Sequence, residues 1–136
     1  MRIMLDTNVL ISAFVFGGKV RETLIKLFET NCEIYVSEYV DDEFKRILYE
    51  KWTARAEKIY ALYRSMDFIF CSSTSEILEH LRDEKDIPVL SDAIYHGADI
   101  LLTGDKDFLD SGIKMPQIVS PSELLEKFLR KGFFYG

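Results

Sequence analysis

The chain has 136 residues, of which 48% are hydrophobic and 29% are charged, and its formal net charge is −6 at pH 7. This length fits a single domain over residues 1–136 that buries roughly two-thirds of its unfolded surface, and the composition excludes an intrinsically disordered protein. The negative charge argues against nucleic-acid binding through a general basic face. The apolar runs are too short to span a bilayer and Met1 begins no signal-peptide pattern, so we expect a cytoplasmic protein.

Apolar spacing and capping residues predict strands that alternate with helices along the whole chain. In chain order, the predicted elements are a strand at 2–6, helices at 8–14 and 19–29, a strand at 33–36, a helix capped by Ser37, a helix at 53–65, a strand at 67–71, a helix at 74–81, a loop at 82–85, a helix that begins at Pro88, strands at 99–103 and 117–119, and a final helix from Pro121. This alternation predicts a parallel, doubly wound sheet with helices on both faces, which is a three-layer α/β/α fold.

Two local signals support helices in the second half of the chain. Ser73 and Glu76 are three residues apart and form a capping box, which predicts the helix at 74–81. Pro88 is typical of the first turn of a helix, and Gly97 is a natural residue for its end.

Asp6 follows directly after the first predicted strand. Ligands of open parallel sheets bind outside the carboxyl ends of the strands, so an acid at this point is placed for chemistry. Aspartate is also a favoured N-cap, and Asp6 could simply cap the helix that follows. The segment alone does not decide between these two roles.

Helical geometry places two further acids beside apolar faces. Glu43 borders the buried stripe of its helix next to Ile47, whereas Asp42 faces water. Asp86 precedes Leu90 by four residues and lies on the core-facing side of the first turn, although alone it could be an N-terminal cap. A carboxylate at such a position costs free energy unless it is paired, hydrogen-bonded or bound to a metal.

Asp105 ends the fourth predicted strand as Asp6 ends the first. If these two strands are neighbours in the sheet, both acids emerge at the same edge and meet in a crevice. Asp107, two residues later, either joins them or lies on an exposed turn. Asp92, six residues after Asp86, is expected to point away from the core-facing side of its helix.

Carboxylates that converge in one crevice repel one another and need a countercharge. Mg²⁺ or Mn²⁺ can supply it, since these hard cations prefer oxygen ligands. Cations held in this way lower the pKa of a bound water and stabilise the attacking and leaving oxygens at a phosphodiester, which a nuclease requires.

Four motifs, in this order, resemble those of the PIN domain family, the metal-dependent ribonucleases that include VapC-like toxins. They are LDTNVLIS at residues 5–12, the segment 37–48 with its acid at Glu43, DIPVLSDA at residues 86–93, and LLTGDKDF at residues 101–108. The third motif departs from many relatives at Ile87 and Pro88, where those relatives carry further polar residues. Asp83 and Asp92 are therefore alternatives to Asp86, which the periodicity favours.

Carried over by position, the resemblance implies a metal site made of carboxylates. The implied ligands are Asp6, Glu43, Asp86 and Asp105, with Asp107 as a further candidate. Asn8 and Thr103 are implied to hydrogen-bond these carboxylates and orient them.

The resemblance also has implications for fold, chemistry and assembly. It implies a central, mostly parallel five-stranded sheet and Mg²⁺ or Mn²⁺ as the cofactor. It implies cleavage of RNA that leaves a 5′-phosphate and a 3′-hydroxyl. A homodimer is implied as well, together with an antitoxin partner if the protein is the toxin of a toxin–antitoxin pair.

Three alternative functions compete with this one. A phosphotransferase of the haloacid dehalogenase type needs a second aspartate two residues after the first, where this chain has Asn8. A dinucleotide-binding protein needs a glycine-rich turn after the first strand, where this chain has Thr7, Asn8 and Val9. The third is a PIN-like domain that binds RNA or a protein without cutting it, and the presence of all four acids argues against that alternative.

The remaining polar residues suggest no other chemistry. Cys32 and Cys71 lack the spacing of a zinc site, so we expect free thiols, with a disulfide only in an oxidising compartment or a hyperthermophile. His80, His96 and Trp52 pair with no nucleophile, and we expect structural or surface roles for them. The C-terminal segment at residues 128–136 is basic and aromatic, and its sequence does not decide whether it frays, packs on the rest of the domain or contacts a partner chain.

Overall fold

The computed structural model describes residues 1–129, which form a five-stranded, all-parallel sheet with helices around it. The strands are β1 (Arg2–Leu5), β2 (Glu33–Ser37), β3 (Ile69–Cys71), β4 (Ile100–Leu102) and β5 (Gln117–Val119). Their order across the sheet is β3-β2-β1-β4-β5, and each adjacent pair is parallel. The first strand of the chain therefore lies at the centre of the sheet.

The helices surround this sheet. The α-helices within residues 1–129 are α1 (Thr7–Ile11), α2 (Gly18–Phe28), α3 (Glu38–Lys51), α4 (Thr53–Arg64), α5 (Ile87–Tyr95), α6 (Lys106–Leu109) and α7 (Pro121–Leu124), and a π-helical turn, Leu125–Leu129, continues α7. Ile3, Met4 and Leu5 are consecutive in β1 and are all fully buried. Because successive strand residues point to opposite faces, both faces of the sheet are covered. The predicted three-layer α/β/α fold is confirmed.

Several helix ends follow the sequence signals. A π-helical turn, Ser12–Phe16, continues the first helix until Gly17, whose φ of 83° is in the left-handed region that favours glycine. Gly97, with φ 66°, follows α5 in the same way. Ser37 caps α3 as predicted, because its hydroxyl accepts a hydrogen bond from Val40 N at 3.3 Å.

The predicted helix at 74–81 is wrong, since these residues form an irregular segment. The Ser73 hydroxyl donates to Asp92 Oδ2 at 2.7 Å and accepts from Tyr39 N at 2.8 Å, so it caps no helix of its own. Thr74 N donates to Asp92 Oδ1 at 2.7 Å. Bonds to α5 and α3, distant in sequence, therefore replace the capping box.

The position of Asp92 is a second correction. Its exposed fraction is 0%, whereas the six-residue spacing from Asp86 predicts that it points away from the core-facing side of α5. The irregular segment after β3 covers this face of the helix and supplies both donors to the carboxylate.

Two smaller elements also differ from the predicted ones. Glu84–Asp86 forms a 3₁₀ turn where a loop is predicted, and α6 has no predicted counterpart.

Aromatic packing determines which side of α3 faces the sheet. The buried Phe44 ring lies 4.8 Å from the ring of Tyr63 on α4, centroid to centroid. The Tyr63 hydroxyl in turn donates to Asp41 Oδ1 at 2.8 Å. These contacts leave Glu43 half-buried and Asp42 exposed, as helical geometry predicts.

Cys32 and Cys71 are free thiols and both are half-buried. Residues 130–136 of the C-terminal segment lie outside the described residues. Of the helices in the part of the chain that the structure describes, none has both the length and the apolar character needed to cross a membrane.

Candidate active site

The carboxyl ends of β1 and β4 meet at one edge of the sheet. Leu5 lies opposite Leu102 in the parallel ladder, and Asp6 N donates to Leu102 O at 3.0 Å. Asp6 and Thr103, the residues that follow these two leucines, consequently lie side by side. The two strands are the neighbours that the convergence of Asp6 and Asp105 requires.

Three donors hold the carboxylate of Asp6. Its Oδ1 accepts from Thr7 N at 2.8 Å, and its Oδ2 accepts from Thr103 Oγ1 at 2.8 Å and from Asn8 Nδ2 at 3.0 Å. The residue is only 5% exposed. Asp6 is also the N-cap of α1, so the same side chain caps this helix and lies in the crevice.

Burial changes the ionisation of this carboxyl. It raises the pKa of Asp6 from its ordinary value of 3.8 to about 6. The hydrogen bonds from Thr103 and Thr7 oppose that rise, while the negative charges of Glu43 and Asp105 add to it. A cation beside Asp6 would favour the ionised form and reverse the effect.

Thr103 and Asn8 connect α1 to the loop after β4. Besides donating to Asp6, Thr103 Oγ1 accepts from Asp105 N at 3.0 Å and from Asn8 Nδ2 at 3.3 Å. The hydroxyl thus uses its one proton and both lone pairs. Asn8 Oδ1 accepts from Gly104 N at 3.0 Å. Together these bonds fix both the orientation of Asp6 and the start of the loop that carries Asp105.

Asp83, Asp86 and Asp105 form a carboxylate triad in which one oxygen of each lies within 4.8 Å of the others. Asp83 accepts from Lys85 N at 3.0 Å, and Asp105 accepts from Asp107 N at 2.9 Å, so each also stabilises a local turn. Asp86 is 9% exposed, and its Oδ2 is buried with no hydrogen-bond partner among the described residues. Burial raises the pKa of Asp86, and the adjoining Asp105 raises it further.

One pocket at this sheet edge, which we call the acidic pocket, contains Asp6, Glu43, Asp86 and Asp105. Its lining residues are Asp6, Thr7, Asn8, Ile11, Glu43, Ile47, Asp83, Lys85, Asp86, Val89 and Asp105. Five of these residues carry carboxylates, and three apolar side chains complete the walls. The described structure therefore brings the four acids from four separate chain segments into one cleft.

Asp107 and Asp92 lie outside the lining of the acidic pocket. Asp107 is exposed on α6, and Asp92 is held by the segment after β3. From the sequence, Asp83 is predicted only as an alternative ligand to Asp86, and Lys85 has no predicted role. Asp83 lies beside Asp86 because side chains three residues apart eclipse in a 3₁₀ turn. The Asp-x-x-Asp spacing is compatible with this turn but does not predict it. No sequence signal points to Lys85.

The donor set of the acidic pocket fits a hard divalent cation. Carboxylate oxygens are the ligands that Mg²⁺ and Mn²⁺ prefer. The buried, unpartnered Asp86 Oδ2 is an acceptor whose desolvation cost a cation would offset. Within residues 1–129, no other group of three or more acidic, histidine or cysteine side chains has the spacing of a metal site.

Comparisons with known proteins agree with this architecture. Residues 2–107 match the PIN domain in a comparison with protein families. Among solved structures, the chain resembles VapBC2 from Rickettsia felis bound to a DNA fragment from their promoter, with a TM-score of 0.71, 18% identity, and coverage of 88% of this chain and 98% of that chain. A second match is VapC20 from Mycobacterium tuberculosis, described as a Sarcin-Ricin loop cleaving toxin, with a TM-score of 0.61, 17% identity, and coverage of 82% and 95%. A search of curated proteins finds no match.

Proposed function

This chain belongs to the PIN domain family, and we propose that it is a divalent-metal-dependent endoribonuclease that hydrolyses RNA phosphodiester bonds. The observation that carries the proposal is the acidic pocket, where five carboxylates line one cleft at the edge of the sheet. So many like charges destabilise a fold unless a cation balances them, and a structural role would not require them.

The residues of the acidic pocket suit Mg²⁺ or Mn²⁺. Asp83, Asp86 and Asp105 would hold the cation, because their oxygens lie within 4.8 Å of one another. Asp6 and Glu43 line the same cleft and would complete the ligand set directly or through water. When bound, such a cation lowers the pKa of a coordinated water and stabilises the oxygens that enter and leave at phosphorus.

The other polar residues of the site position the carboxylates and the substrate. Thr103 and Asn8 both donate to Asp6 Oδ2, so the carboxylate is held in one orientation before RNA arrives. Lys85 lines the acidic pocket and would contact the substrate phosphate. The residues that line the pocket include no serine or cysteine, and the proposed reaction forms no covalent enzyme intermediate.

We infer that the protein acts in the cytoplasm as the toxin of a toxin–antitoxin pair and that it is a homodimer. The similarity to VapBC2 and to the toxin VapC20 supports this role. Induced expression in a bacterial host is expected to arrest growth, and Asp6→Asn is expected to abolish the arrest. If a small open reading frame adjoins the gene, co-expression of its product should restore growth. Light scattering is expected to give the mass of a dimer.

Cleavage of single-stranded RNA tests the nuclease proposal. Wild-type protein is expected to cut labelled RNA with Mn²⁺ or Mg²⁺ and to stop when a chelator is added. Asp6→Asn should lose the activity, because it removes a carboxylate of the acidic pocket while keeping the shape of the side chain. Asp42→Asn is the matched control, since it makes the same change at an exposed position of α3.

Two results would contradict the nuclease proposal. One is a wild-type protein that binds no divalent cation. The other is equal cleavage by wild type and Asp6→Asn, which would trace the activity to a contaminant. RNA binding without metal-dependent cleavage would instead support a non-catalytic PIN-like module.

A further inference from the structure

A second pocket adjoins the acidic pocket on the other side of Asn8. Its polar lining residues are Asn8, Ser12, Lys19, Gly104, Ser120 and Ser122. Asn8 lines both pockets, and Gly104 immediately precedes Asp105 of the carboxylate triad. We call this second cavity the serine pocket. A strand that crosses Asn8 would occupy both pockets.

The two pockets have opposite electrostatic character. Five carboxylates line the acidic pocket, whereas the described residues that line the serine pocket include no aspartate or glutamate. The serine pocket instead presents a lysine and three serine hydroxyls. Lysine and hydroxyl groups donate hydrogen bonds to phosphate, and a polyanion that approaches this edge is attracted there and repelled by the uncompensated carboxylates.

The donors of the serine pocket are available to a ligand. Lys19 is exposed and forms no ion pair within the part of the chain that the structure describes. Ser120 Oγ accepts from Glu123 N at 3.2 Å and lies 3.4 Å from Ser122 Oγ, so its proton can point outward or to Ser122. The amide of Asn8 is already used by Asp6, Thr103 and Gly104 and acts as the wall between the pockets.

We propose that the serine pocket is the subsite for the RNA phosphate and ribose that neighbour the scissile phosphate, with Lys19 as the phosphate contact. This inference rests on the proposed nuclease function and adds the path of the strand through the site. The serine hydroxyls are also suited to a ribose 2′-hydroxyl, which both donates and accepts hydrogen bonds. The chemistry would occur in the acidic pocket, whereas the serine pocket would supply part of the energy that binds the RNA.

RNA-binding measurements on matched lysine variants test the subsite. Each change is made in Asp6→Asn protein, which separates binding from cleavage, and a labelled single-stranded RNA of mixed sequence is titrated in Mg²⁺ at several salt concentrations. Lys19→Ala is expected to weaken binding about three- to tenfold and to reduce the salt slope by about 1. Lys58→Ala makes the same charge change on α4, outside the serine pocket, and should change binding by less than about twofold.

A second variant fills the pocket without changing the charge. Ser122→Leu is at an exposed position, so folding should tolerate it. The leucine side chain would occupy the serine pocket, and we expect weaker RNA binding with an unaltered salt slope. In wild-type protein, Lys19→Ala should raise the KM for RNA more than it lowers kcat, and Lys19→Arg should restore most of the loss.

The possible results separate the subsite from the nuclease proposal. If Lys19→Ala and Lys58→Ala bind RNA with equal affinity and the wild-type protein cuts RNA, the subsite is overturned and the nuclease proposal stands. Lys19-dependent binding by a wild-type protein that cuts no RNA overturns the nuclease, and with it the scissile phosphate, and leaves Lys19 as an RNA phosphate contact only. Absence of RNA binding and of cleavage in every protein, wild type included, overturns both. If Lys19→Ala weakens the binding of a protein partner and leaves RNA binding unchanged, the subsite is overturned and the pocket belongs to that partner.

Discussion

The Thr103 hydroxyl donates to Asp6 Oδ2 at 2.8 Å, and this bond joins the carboxyl end of β4 to that of β1. Both residues are buried, with exposed fractions of 0% and 5%. The same hydroxyl accepts from the backbone N–H of Asp105. One side chain therefore sets the relative positions of two carboxylates that come from opposite ends of the chain.

Loss of this hydroxyl should impair catalysis. Thr103→Val keeps the shape of the side chain but removes a donor to Asp6 and leaves Asp105 N without its acceptor. We expect RNA cleavage to fall about 10- to 100-fold, as is typical when a group that orients a metal ligand is lost. Stability should fall by about 1–3 kcal/mol, since the buried Asp6 carboxylate loses a donor and the half-buried Asp105 N–H loses its acceptor. Cleavage assays and urea unfolding measure the two effects.

Thr103→Ser is the matched control for that change. It retains the hydroxyl and should keep most of the activity. If Thr103→Val cleaves RNA as fast as wild type, the hydroxyl does not position Asp6 for the reaction.

The stability of the metal-free protein should fall as the pH rises. The folded-state pKa of Asp6 is about 6, against an ordinary value of 3.8, so between these values the folded state binds more protons than the unfolded state. Its contribution is complete below pH ~4 and is lost as the pH passes through ~6. The total is about 1–3 kcal/mol for a shift of this size. Urea unfolding in chelator across this range measures it.

Two additions to the pH experiment identify the cause. Asp6→Asn should reduce the pH dependence and leave the part that comes from the raised pKa of Asp86, whereas Asp42→Asn should preserve all of it. Mg²⁺ should restore stability near neutral pH, because a bound cation favours the ionised carboxylates. A metal-free protein whose stability rises between pH 4 and 6 with the same slope in Asp6→Asn would contradict this account.

Removal of a triad carboxylate should weaken metal binding. We expect Asp86→Asn and Asp105→Asn each to reduce Mn²⁺ affinity at least about 10-fold, the scale of effect seen when even a supporting group of a metal ligand is lost. Asp107→Asn tests the sequence-based prediction that this residue is also a ligand. Because Asp107 is exposed and outside the acidic pocket, we expect a smaller loss than for Asp105→Asn. Isothermal titration calorimetry with Mn²⁺ compares the three variants.

Asp92 should matter for folding rather than for metal binding. Asp92→Ala removes the acceptor of two bonds of 2.7 Å, from Ser73 Oγ and Thr74 N, at a fully buried position. A loss of about 2–4 kcal/mol is expected, because hydrogen bonds to charged groups are strong and a backbone N–H is left unpaired. Thermal unfolding measures the loss, and Mn²⁺ affinity of the folded fraction should stay near that of wild type. A large fall in that affinity would make Asp92 part of the metal site.

The sheet was predictable because its signals are local. Alternating strands and helices imply a parallel sheet, and the parallel sheet implies that Asp6 and Asp105 emerge at one edge. Helical periodicity likewise predicts which acid of α3 borders the core, and the structure buries Glu43 more than Asp42. These inferences need only the spacing of residues along each element.

The irregular segment before α5 could not be predicted in this way. The capping box of Ser73 and Glu76 is a valid local signal, but the Ser73 hydroxyl accepts from Tyr39 N and donates to Asp92 instead of accepting from Glu76 N. Glu76 N donates to Thr74 Oγ1 at 3.1 Å. Nor does sequence spacing fix the 3₁₀ turn that brings Asp83 beside Asp86, because the choice between a loop and a turn depends on packing against the rest of the fold.

The acidic pocket is divided between two halves of the chain. Asp6 and Glu43 precede β3, and the carboxylate triad follows it. A cut in the irregular segment at residues 72–82 would leave neither fragment with a complete set of carboxylates, although β1 in one fragment and β4 in the other are hydrogen-bonded neighbours. Reassociation of such fragments would regenerate the site at their interface. The proposed nuclease activity would then depend on contact between the two fragments, which suits the domain to a split reporter of contact between two attached proteins.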